Sequence, residues 1–402
     1  MLTDTSTKLD ILKTELSDEL NNIMRFWADI TPDEVNSGFY GKIDNDNQAT
    51  ANAPKGSVLN ARILWSFAAA YNHTGDENYL NVATRAYEYI NAHFIDAEQG
   101  GVYWSVDYKG NALDTKKQVY AIAFTIYALS EFYSASGIMA AKQKAVDLYR
   151  LLVEKSYDHV KTGYFEAFTK NWQPIDDLRL SAKDANEKKT MNTHLHVLEG
   201  YINLFRIWPD QGLKQQIETL LNNFFDHFID QQTNHLSLFF DEDWKSKSDL
   251  ISYGHDIEAT WLLLEAAEAI GDAYMIEKIK QISIPIANAT IKGLDTDGGL
   301  WYEYEPAEDH LIKEKHWWVQ AEAMVGFFNT WQIAGDEKYL DIAIKNWDFV
   351  KHKILDKTKG EWFWGIEGDG GLMENQDKAG LWKCPYHNSR ACMEIIKRIT
   401  KL

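Results

Sequence analysis

The sequence predicts an all-α protein, an (α/α)6 barrel in which six helical hairpins close into a toroid and short β elements lie in the rim loops. Two observations lead to this prediction. A short Gly/aromatic element recurs six times along the 402 residues, and two helical patterns lie between successive copies. Self-similarity at a fixed spacing is the signature of a repeat architecture.

The repeated element is short, strand-like and rich in glycine and aromatic residues. Its copies lie at positions 38, 101, 163, 235, 299 and 360, so successive copies are 61 to 72 residues apart. The clearest copies are Gly100-Gly-Val-Tyr-Trp104, Gly298-Gly-Leu-Trp-Tyr302 and Gly360-Glu-Trp-Phe-Trp364. We expect each copy to form a turn and a short β element between two hairpins.

Each repeat contains two helices separated by a Gly-Asp break. The first helical pattern is rich in small residues, as in Asn60–Tyr71, and the break Gly75-Asp76 reappears at Gly335-Asp336 and Gly271-Asp272. Glycine ends a helix well and aspartate caps the next one. Closing six such hairpins in a ring buries their apolar faces. An open helical solenoid has the same local pattern and is the alternative.

Composition and charge restrict the classes of function. The chain is 45% hydrophobic with a formal net charge of −19, and no Pro/Ser-rich linker divides it, so we expect one catalytic domain over residues 1–402. Such a negative surface repels phosphate backbones, which argues against nucleic acid or an anionic membrane as a partner. The first residues lack the apolar core of a signal peptide, and no stretch approaches a membrane span.

The two cysteines indicate a reducing compartment. Cys384 and Cys392 are eight residues apart, about 12 Å along one helix, which is too far for a disulfide. We therefore expect a cytoplasmic protein, and a monomer.

Polar and aromatic residues collect at the predicted starts of the inner helices, near residues 60, 117, 191, 254, 315 and 385. In a ring of parallel inner helices these starts meet at one end of the central cavity. The residues there are Arg62, Tyr120, Asn192, His196, His255, Glu258, Trp317, Trp318, Glu322, His387 and Arg390.

Three of these residues, His196, His255 and His387, are histidines at equivalent places in three repeats. His194 is two residues from His196, about 200° around the helix, so it faces elsewhere and is expected to be structural. Metal binding by the three histidines with Glu258 is the alternative. Histidines kept neutral by helix N-termini are suited to proton abstraction beside a carbonyl. A glycoside hydrolase would instead need two carboxylates across the scissile bond.

Four stretches of the sequence resemble the N-acylglucosamine 2-epimerase superfamily, and within it the branch that acts on cellobiose. The resemblance spans essentially the whole chain, and its motifs are long and specific. They are the run from Asp177 to Glu199, which contains Thr193-His-Leu-His196, and Tyr253-Gly-His-Asp-Ile-Glu258, His316-Trp-Trp-Val-Gln-Ala-Glu322 and Lys383-Cys-Pro-Tyr-His-Asn-Ser-Arg390.

The resemblance implies an (α/α)6 barrel and reversible inversion at C2 of the reducing-end glucose of a β-1,4-linked disaccharide, without cofactor or metal. By position, it implies that His255 and His387 are the acid/base pair, that His196 stabilises an enediolate and that Glu258 orients a histidine. The residues it implies for substrate binding are Arg62, Tyr120, Asn192, Trp317, Trp318, Glu322, Trp382 and Arg390.

Two long loops, about 170–188 and 365–383, are expected to cover the cavity, since loops of this length are usually functional or disordered. The competing functions are a related N-acylglucosamine 2-epimerase or mannose-type aldose–ketose isomerase, a hydrolase, and a non-catalytic sugar-binding protein.

Overall fold

The computed structural model describes residues 5–402, and within them helices account for most of the chain. Twelve α-helices follow one another around two concentric rings. They are α1 (Thr5–Asp29), α2 (Ser57–Thr74), α3 (Glu77–Tyr89), α4 (Val119–Ser136), α5 (Met139–Lys155), α6 (Met191–Ile207), α7 (Gln211–Asn223), α8 (Tyr253–Ile270), α9 (Ala273–Thr290), α10 (Trp317–Ala334), α11 (Glu337–Phe349) and α12 (Tyr386–Thr400).

The even-numbered helices form the inner ring. Each packs against the next, and α12 packs against α2, so the ring is closed. The odd-numbered helices pack outside them, with α1 against α12, so the sixth hairpin joins the first helix of the chain to the last. This closure confirms the predicted (α/α)6 barrel and excludes the open solenoid.

Burial separates the two rings as their sequences predict. The inner helix α4 is apolar nearly all round and buried over most of its length, whereas an outer helix such as α7 buries one face only. Neighbouring inner helices approach closely at glycine: a Cβ added to Gly200 would lie 2.7 Å from the Ala123 carbonyl oxygen. The main hydrophobic core therefore lies within and between the rings.

The Gly-Asp breaks form the caps that the sequence predicts. Gly75 ends α2 in the left-handed conformation with φ of 74°, and the Asp76 side chain accepts from the Asn78 amide at the start of α3. Gly271-Asp272 and Gly335-Asp336 make the same connection after α8 and α10.

Short strands lie at the rim where the inner helices begin. They are β1 (Lys55–Gly56), β2 (Ser105–Val106), β3 (Ala112–Asp114), β4 (Lys117–Gln118), β5 (Ala167–Phe168), β6 (Lys189–Thr190), β7 (Phe239–Phe240), β8 (Ile251–Ser252), β9 (Glu303–Glu305), β10 (His310–Ile312), β11 (Lys315–His316) and β12 (Gly365–Ile366). The strand before each of α2, α4, α6, α8 and α10 pairs antiparallel with a strand of the next repeat, as β6 does with β7 through Lys189↔Phe240. These pairings fix the starts of the inner helices relative to one another.

Lysine–aspartate ion pairs, which the sequence analysis did not anticipate, join the rim strands to the repeated turns. In five repeats, a lysine from the segment before an inner helix contacts the aspartate that opens the turn. The pairs are Lys55–Asp33 (2.9 Å), Lys117–Asp96 (2.6 Å), Lys189–Asp158 (2.8 Å), Lys315–Asp295 (2.7 Å) and Lys378–Asp356 (2.6 Å). In the fourth repeat Ile251 replaces the lysine, and His235 pairs with Asp256 at 2.6 Å instead.

Candidate active site

The N-terminal ends of the inner helices surround a cavity of about 450 Å³. A volume of this size is typical of small-molecule clefts, about 300–1,000 Å³. The observed inner-helix starts, residues 57, 119, 191, 253, 317 and 386, lie within three residues of the expected ones. Ten of the twelve expected site residues line the cavity: Arg62, Tyr120, Asn192, His196, His255, Glu258, Trp317, Trp318, Trp382 and His387.

The other two expected residues, Glu322 and Arg390, lie behind the cavity wall. Glu322 is 1% exposed and Arg390 is 2% exposed, and neither is among the lining residues. The expectation that they bind substrate directly therefore does not fit their positions. Their side chains face the carboxylates and histidines that do reach the cavity.

His196 and His387 are each held by a carboxylate. The Nδ1 of His196 lies 2.9 Å from Oε2 of Glu199, and the Nδ1 of His387 lies 2.7 Å from Oε1 of Glu322. An ionised carboxylate can only accept a hydrogen bond, so each Nδ1 carries the proton and each Nε2 is an unprotonated base. Both rings are thus fixed in orientation and tautomer.

His255 has a different partner, the hydroxyl of Ser252. Its Nδ1 lies 2.8 Å from the Ser252 Oγ, which can donate or accept, so either tautomer is allowed. The indole of Trp318 lies close to both this histidine and His387, with ring centroids 4.8 Å and 5.8 Å away. Two histidines, one from α8 and one from α12, therefore contact the same tryptophan of the cavity wall.

Three of the four histidines that line the cavity are the expected ones, His196, His255 and His387, and their lowered pKa values make them neutral at pH 7. Burial lowers the pKa of His255 to about 3. Burial also lowers the pKa of His196, although its bond to Glu199 opposes this. For His387, burial and then the charge of Arg62 lower the pKa well below its ordinary value. Neutral imidazoles can accept a proton, which a general base requires.

Arg62 places a fixed positive charge on the cavity wall. Its guanidinium donates to the Tyr120 hydroxyl at 2.7 Å and lies over the ring of Phe124 at 4.2 Å. No described carboxylate accepts a hydrogen bond from Arg62, and its Nε is buried without a partner. This charge is therefore not neutralised by an ion pair among the described residues, and the side chain lines the cavity, where it could bind an oxygen-rich ligand.

Arg390 connects the two histidine–carboxylate pairs. Its guanidinium donates to Glu199, to Glu322 at 2.6 Å and to Glu258 at 2.8 Å. A continuous chain of hydrogen bonds therefore runs from His196 through Glu199, Arg390 and Glu322 to His387.

The expected role of Glu258 needs a correction. The resemblance implied that Glu258 orients a histidine, but its only hydrogen bond among the described residues is the one from Arg390. Glu199 and Glu322 hold histidines instead. Glu199 was missed as a site residue, although its spacing of three from His196 on one helix could have identified it.

His194 lies outside the cavity, as the helical geometry predicted. Its Nδ1 contacts the Thr190 carbonyl at 2.7 Å, and its Nε2 accepts from the Tyr164 amide at 2.8 Å. Both ring nitrogens therefore support the backbone. The same position in the next two inner helices holds Asp256 and Gln320, which accept from Leu236 and Leu300 in the same way.

Both long loops contribute to the cavity wall, as expected. The segment 178–187 supplies Leu178, Arg179, Leu180, Ser181, Lys183, Asp184, Ala185 and Glu187, and the segment 365–383 supplies Glu367, Met373, Gln376 and Trp382. The first loop is tied down by Gln118, whose amide nitrogen donates to the carbonyls of Leu178 (3.1 Å) and Arg179 (3.0 Å).

Further residues that sequence reasoning missed complete the wall. They are Glu166, Tyr302, Glu303, Glu314, His316 and Trp364, with several apolar and polar neighbours. Burial raises the pKa of Glu303 to about 7 and that of Glu166 to about 8. Glu303 and His316 lie in the rim strands β9 and β11, and the other four lie in the loops beside the rim strands, so none of the six lies on a helix.

The cluster around Arg390 suits a guanidinium better than a metal ion. Glu258, Glu322 and His387 each offer an atom within 4.8 Å of the others. Both carboxylates, however, already accept from Arg390, which supplies the positive charge they face. The expected alternative of three histidines with Glu258 is not met either within residues 5–402, because His196 and His255 are not part of this group of converging ligand atoms.

The fold and the cavity together define a class of protein: an (α/α)6 barrel with carboxylate-held histidines at the N-terminal ends of its inner helices. Residues 38–391 match the family described as N-acylglucosamine 2-epimerase (GlcNAc 2-epimerase). The chain belongs to this family.

Similar proteins cover nearly the whole chain. The cellobiose 2-epimerase of Bacteroides fragilis is 49% identical over 388 residues, which is 96% of this chain and 99% of the relative. That of Dictyoglomus turgidum is 39% identical, covering 97% and 100%. The structure of cellobiose 2-epimerase from Bacillus thermoamylovorans B4167 matches with a TM-score of 0.93 at 40% identity, covering 97% of this chain and 100% of that one.

Proposed function

We propose that the protein is a cellobiose 2-epimerase, which reversibly inverts C2 of the reducing-end glucose of β-1,4-linked disaccharides. Cellobiose would become glucosyl-mannose, and lactose would become epilactose. The observation that carries the proposal is the pair His255 and His387, two neutral histidines that both lie next to Trp318 in one cavity. The relatives named cellobiose 2-epimerase support the choice of substrate.

The chemistry is a proton transfer at C2. Once the sugar ring opens, the neighbouring aldehyde acidifies the C2 proton, so one histidine can take it and leave a cis-enediolate. The other histidine, which first takes up a proton from water on its Nε2, delivers that proton to the opposite face of C2, and the first histidine then releases its proton to water. Because the reaction is reversible, the two histidines exchange roles in the reverse direction.

The fixed environment of His387 suits this exchange. Glu322 holds its Nδ1 at 2.7 Å, which orients Nε2 and stabilises the imidazolium that forms when the ring carries a second proton. His255 has an uncharged partner, Ser252, which favours the neutral base. The pair therefore combines one histidine near a carboxylate with one near a hydroxyl.

Charge that develops on the enediolate oxygens needs donors that are already in place. Arg62 and Tyr120 are linked at 2.7 Å on the cavity wall and form one such group. His196, held by Glu199, lines the same cavity. Preorganised donors in a water-poor site are usually the largest single source of transition-state stabilisation.

The remaining cavity residues are assigned to bind the hydroxyls and the apolar faces of the sugars. The Oδ1 of Asn192 and the Nε1 of Trp317 are buried and have no partner among residues 5–402, so each can pair with a hydroxyl. Trp318 and Trp382 offer flat rings to the apolar faces of the sugars. Glu322 and Arg390 act through Glu258 and the histidines.

The remaining assignments are also part of the proposal. We propose a cofactor-independent and metal-independent enzyme that acts as one catalytic domain, in the cytoplasm and as a monomer. Cys384 and Cys392 are both free and buried, which is consistent with a reducing compartment. No helix between residues 5 and 402 combines the length and the apolar character that crossing a bilayer requires.

Product analysis tests the function. Purified protein is incubated with cellobiose, and the sugars are separated and identified. Glucosyl-mannose at equilibrium with cellobiose is the expected result. Free glucose would indicate a hydrolase, a ketose would indicate an isomerase, and turnover of N-acylglucosamine alone would assign the other epimerase activity of the family.

A further inference from the structure

The charges around Arg390 do not balance. Its guanidinium donates to Glu199, Glu258 and Glu322, and each of these carboxyl groups is at most 1% exposed. Even with the nearby Arg62 included, two positive charges face three carboxyl groups. An unpaired ionised carboxylate in an apolar interior is so costly that such a group instead binds a proton.

The hydrogen bonds identify which carboxyl groups are ionised. Glu199 accepts from three donors: His196, Tyr386 and Arg390. Glu322 also accepts from three donors: His387, Trp261 and Arg390. Burial raises the pKa of Glu322, but the charge of Arg390 and the bonds from Arg390 and Trp261 oppose this shift. Three donors to one carboxyl group favour its charged form, and Glu258 lacks them.

Glu258 differs from both. Its Oε1 accepts one hydrogen bond, from Arg390 at 2.8 Å, and its Oε2 is buried with no partner among the described residues. The side chain lines the cavity. Burial, and then the charge of Glu322, raise the pKa of Glu258 well above its ordinary value. The bare Oε2 is thus the site for the extra proton.

We propose that Glu258 is a neutral carboxylic acid whose Oε2–H donates a hydrogen bond to an oxygen of the bound sugar. The inference rests on the proposed epimerase function for the identity of that oxygen, which is O1 or O2 of the opened sugar. As negative charge develops there during enolisation, the bond strengthens, and no proton needs to leave Glu258. A carboxylic acid kept neutral by an apolar site is an effective oxyanion donor.

Infrared spectroscopy tests the protonation state directly and needs no substrate. A protonated carboxyl group has a carbonyl stretch that is well separated from carboxylate bands and moves in D2O. The difference spectrum between wild type and Glu258→Gln at pH 7 should contain this band, while buried acids common to both, such as Glu166, cancel. Glu305→Gln, at a partly exposed position on the surface, is the control, and its difference spectrum should lack the protonated band.

Absence of the protonated band would overturn the inference whatever the enzyme turns over. Its presence in a protein that epimerises no sugar would instead contradict the proposed function and leave the neutral Glu258 standing. The two failures are therefore distinguishable.

Kinetics test the donor role. Glu258→Gln keeps an acceptor for Arg390 and presents an amide N–H to the cavity, so kcat should stay within about tenfold of wild type. Glu258→Leu removes the donor and should lower kcat by about 10²–10³, the usual effect of losing one oxyanion-hole donor. If Glu258 acted as an ionised base, the Gln variant would be as inactive as the Leu variant, and the proposal would be wrong.

Discussion

Glu199 offers a test of the buried network that is independent of turnover. Its two carboxylate oxygens accept from His196, Tyr386 and Arg390. The substitution Glu199→Gln has nearly the same shape but only one oxygen, and its NH2 group must face at least one of these donors. The variant therefore loses the negative charge and also places donor against donor in the interior.

The pKa of Glu199 gives the magnitude. Burial alone would raise it, but the charge of Arg390 and the bond from His196 lower it from its ordinary value near 4.5 to about 2. This difference corresponds to roughly 3 kcal/mol of folding stability at pH 7. Because the folded-state pKa is depressed, the contribution is complete above about pH 4.5 and is lost as the pH falls towards 2.

Denaturant unfolding at several pH values measures the effect. At pH 7 the free energy of unfolding of Glu199→Gln should be lower than that of wild type by roughly 3 kcal/mol. The gap should narrow as the pH falls below 4.5. Glu305→Gln is a matched control, since Glu305 also contacts a histidine Nδ1 at 2.7 Å but on the surface, and it should leave stability unchanged. Equal stability of Glu199→Gln and wild type at pH 7 would refute the reasoning.

Two further predictions concern turnover. His255→Asn and His387→Asn should each lower kcat at least about a thousandfold, with an unchanged circular dichroism spectrum. The control is His352→Asn, at an exposed position, which should keep the wild-type kcat. Substantial activity in either cavity variant would remove that residue from the acid/base pair. Trp382→Ala should raise KM for cellobiose about tenfold with little change in kcat, because stacking holds substrate and transition state alike. Trp172→Ala, outside the cavity, is its control, and an unchanged KM in Trp382→Ala would reject the stacking role.

The local features of the fold could be predicted because they depend on neighbours in sequence. Gly75-Asp76 specifies a cap through its own backbone and side chain, and the observed helix starts fall within three residues of the expected ones. The spacing of the repeats predicts the ring. The packing of α1 against α12, which completes the sixth hairpin, could not be predicted in detail from the repeat, because it joins residues from opposite ends of the chain.

The partners within the site could be predicted only in part. The helix starts in the sequence placed His196, His255 and His387 at one rim, but the family resemblance implied that Glu258 orients a histidine, whereas Glu322 and Glu199 do so. Which carboxylate meets which histidine depends on how neighbouring inner helices rotate and lean. A small change in the rotation or tilt of one inner helix is enough to bring a different carboxylate next to a given histidine.

The lysine–aspartate pairs show what a closer comparison of repeats could add. Lys117 and Asp96 are fully buried, and equivalent pairs recur in four other repeats. Aligning the six copies by their turns would place these residues in register and indicate the contact. The loop residues around Asp184 carry no such pattern and needed the structure.

The central claim is proton transfer at C2, and a proton NMR time course with cellobiose in D2O tests it most directly. With EDTA present, the account predicts that a mannose-type reducing end appears and that deuterium enters at C2 as it does so. Epimerisation without deuterium at C2 over many turnovers, or loss of activity to the chelator, would contradict histidine-mediated, metal-free proton exchange.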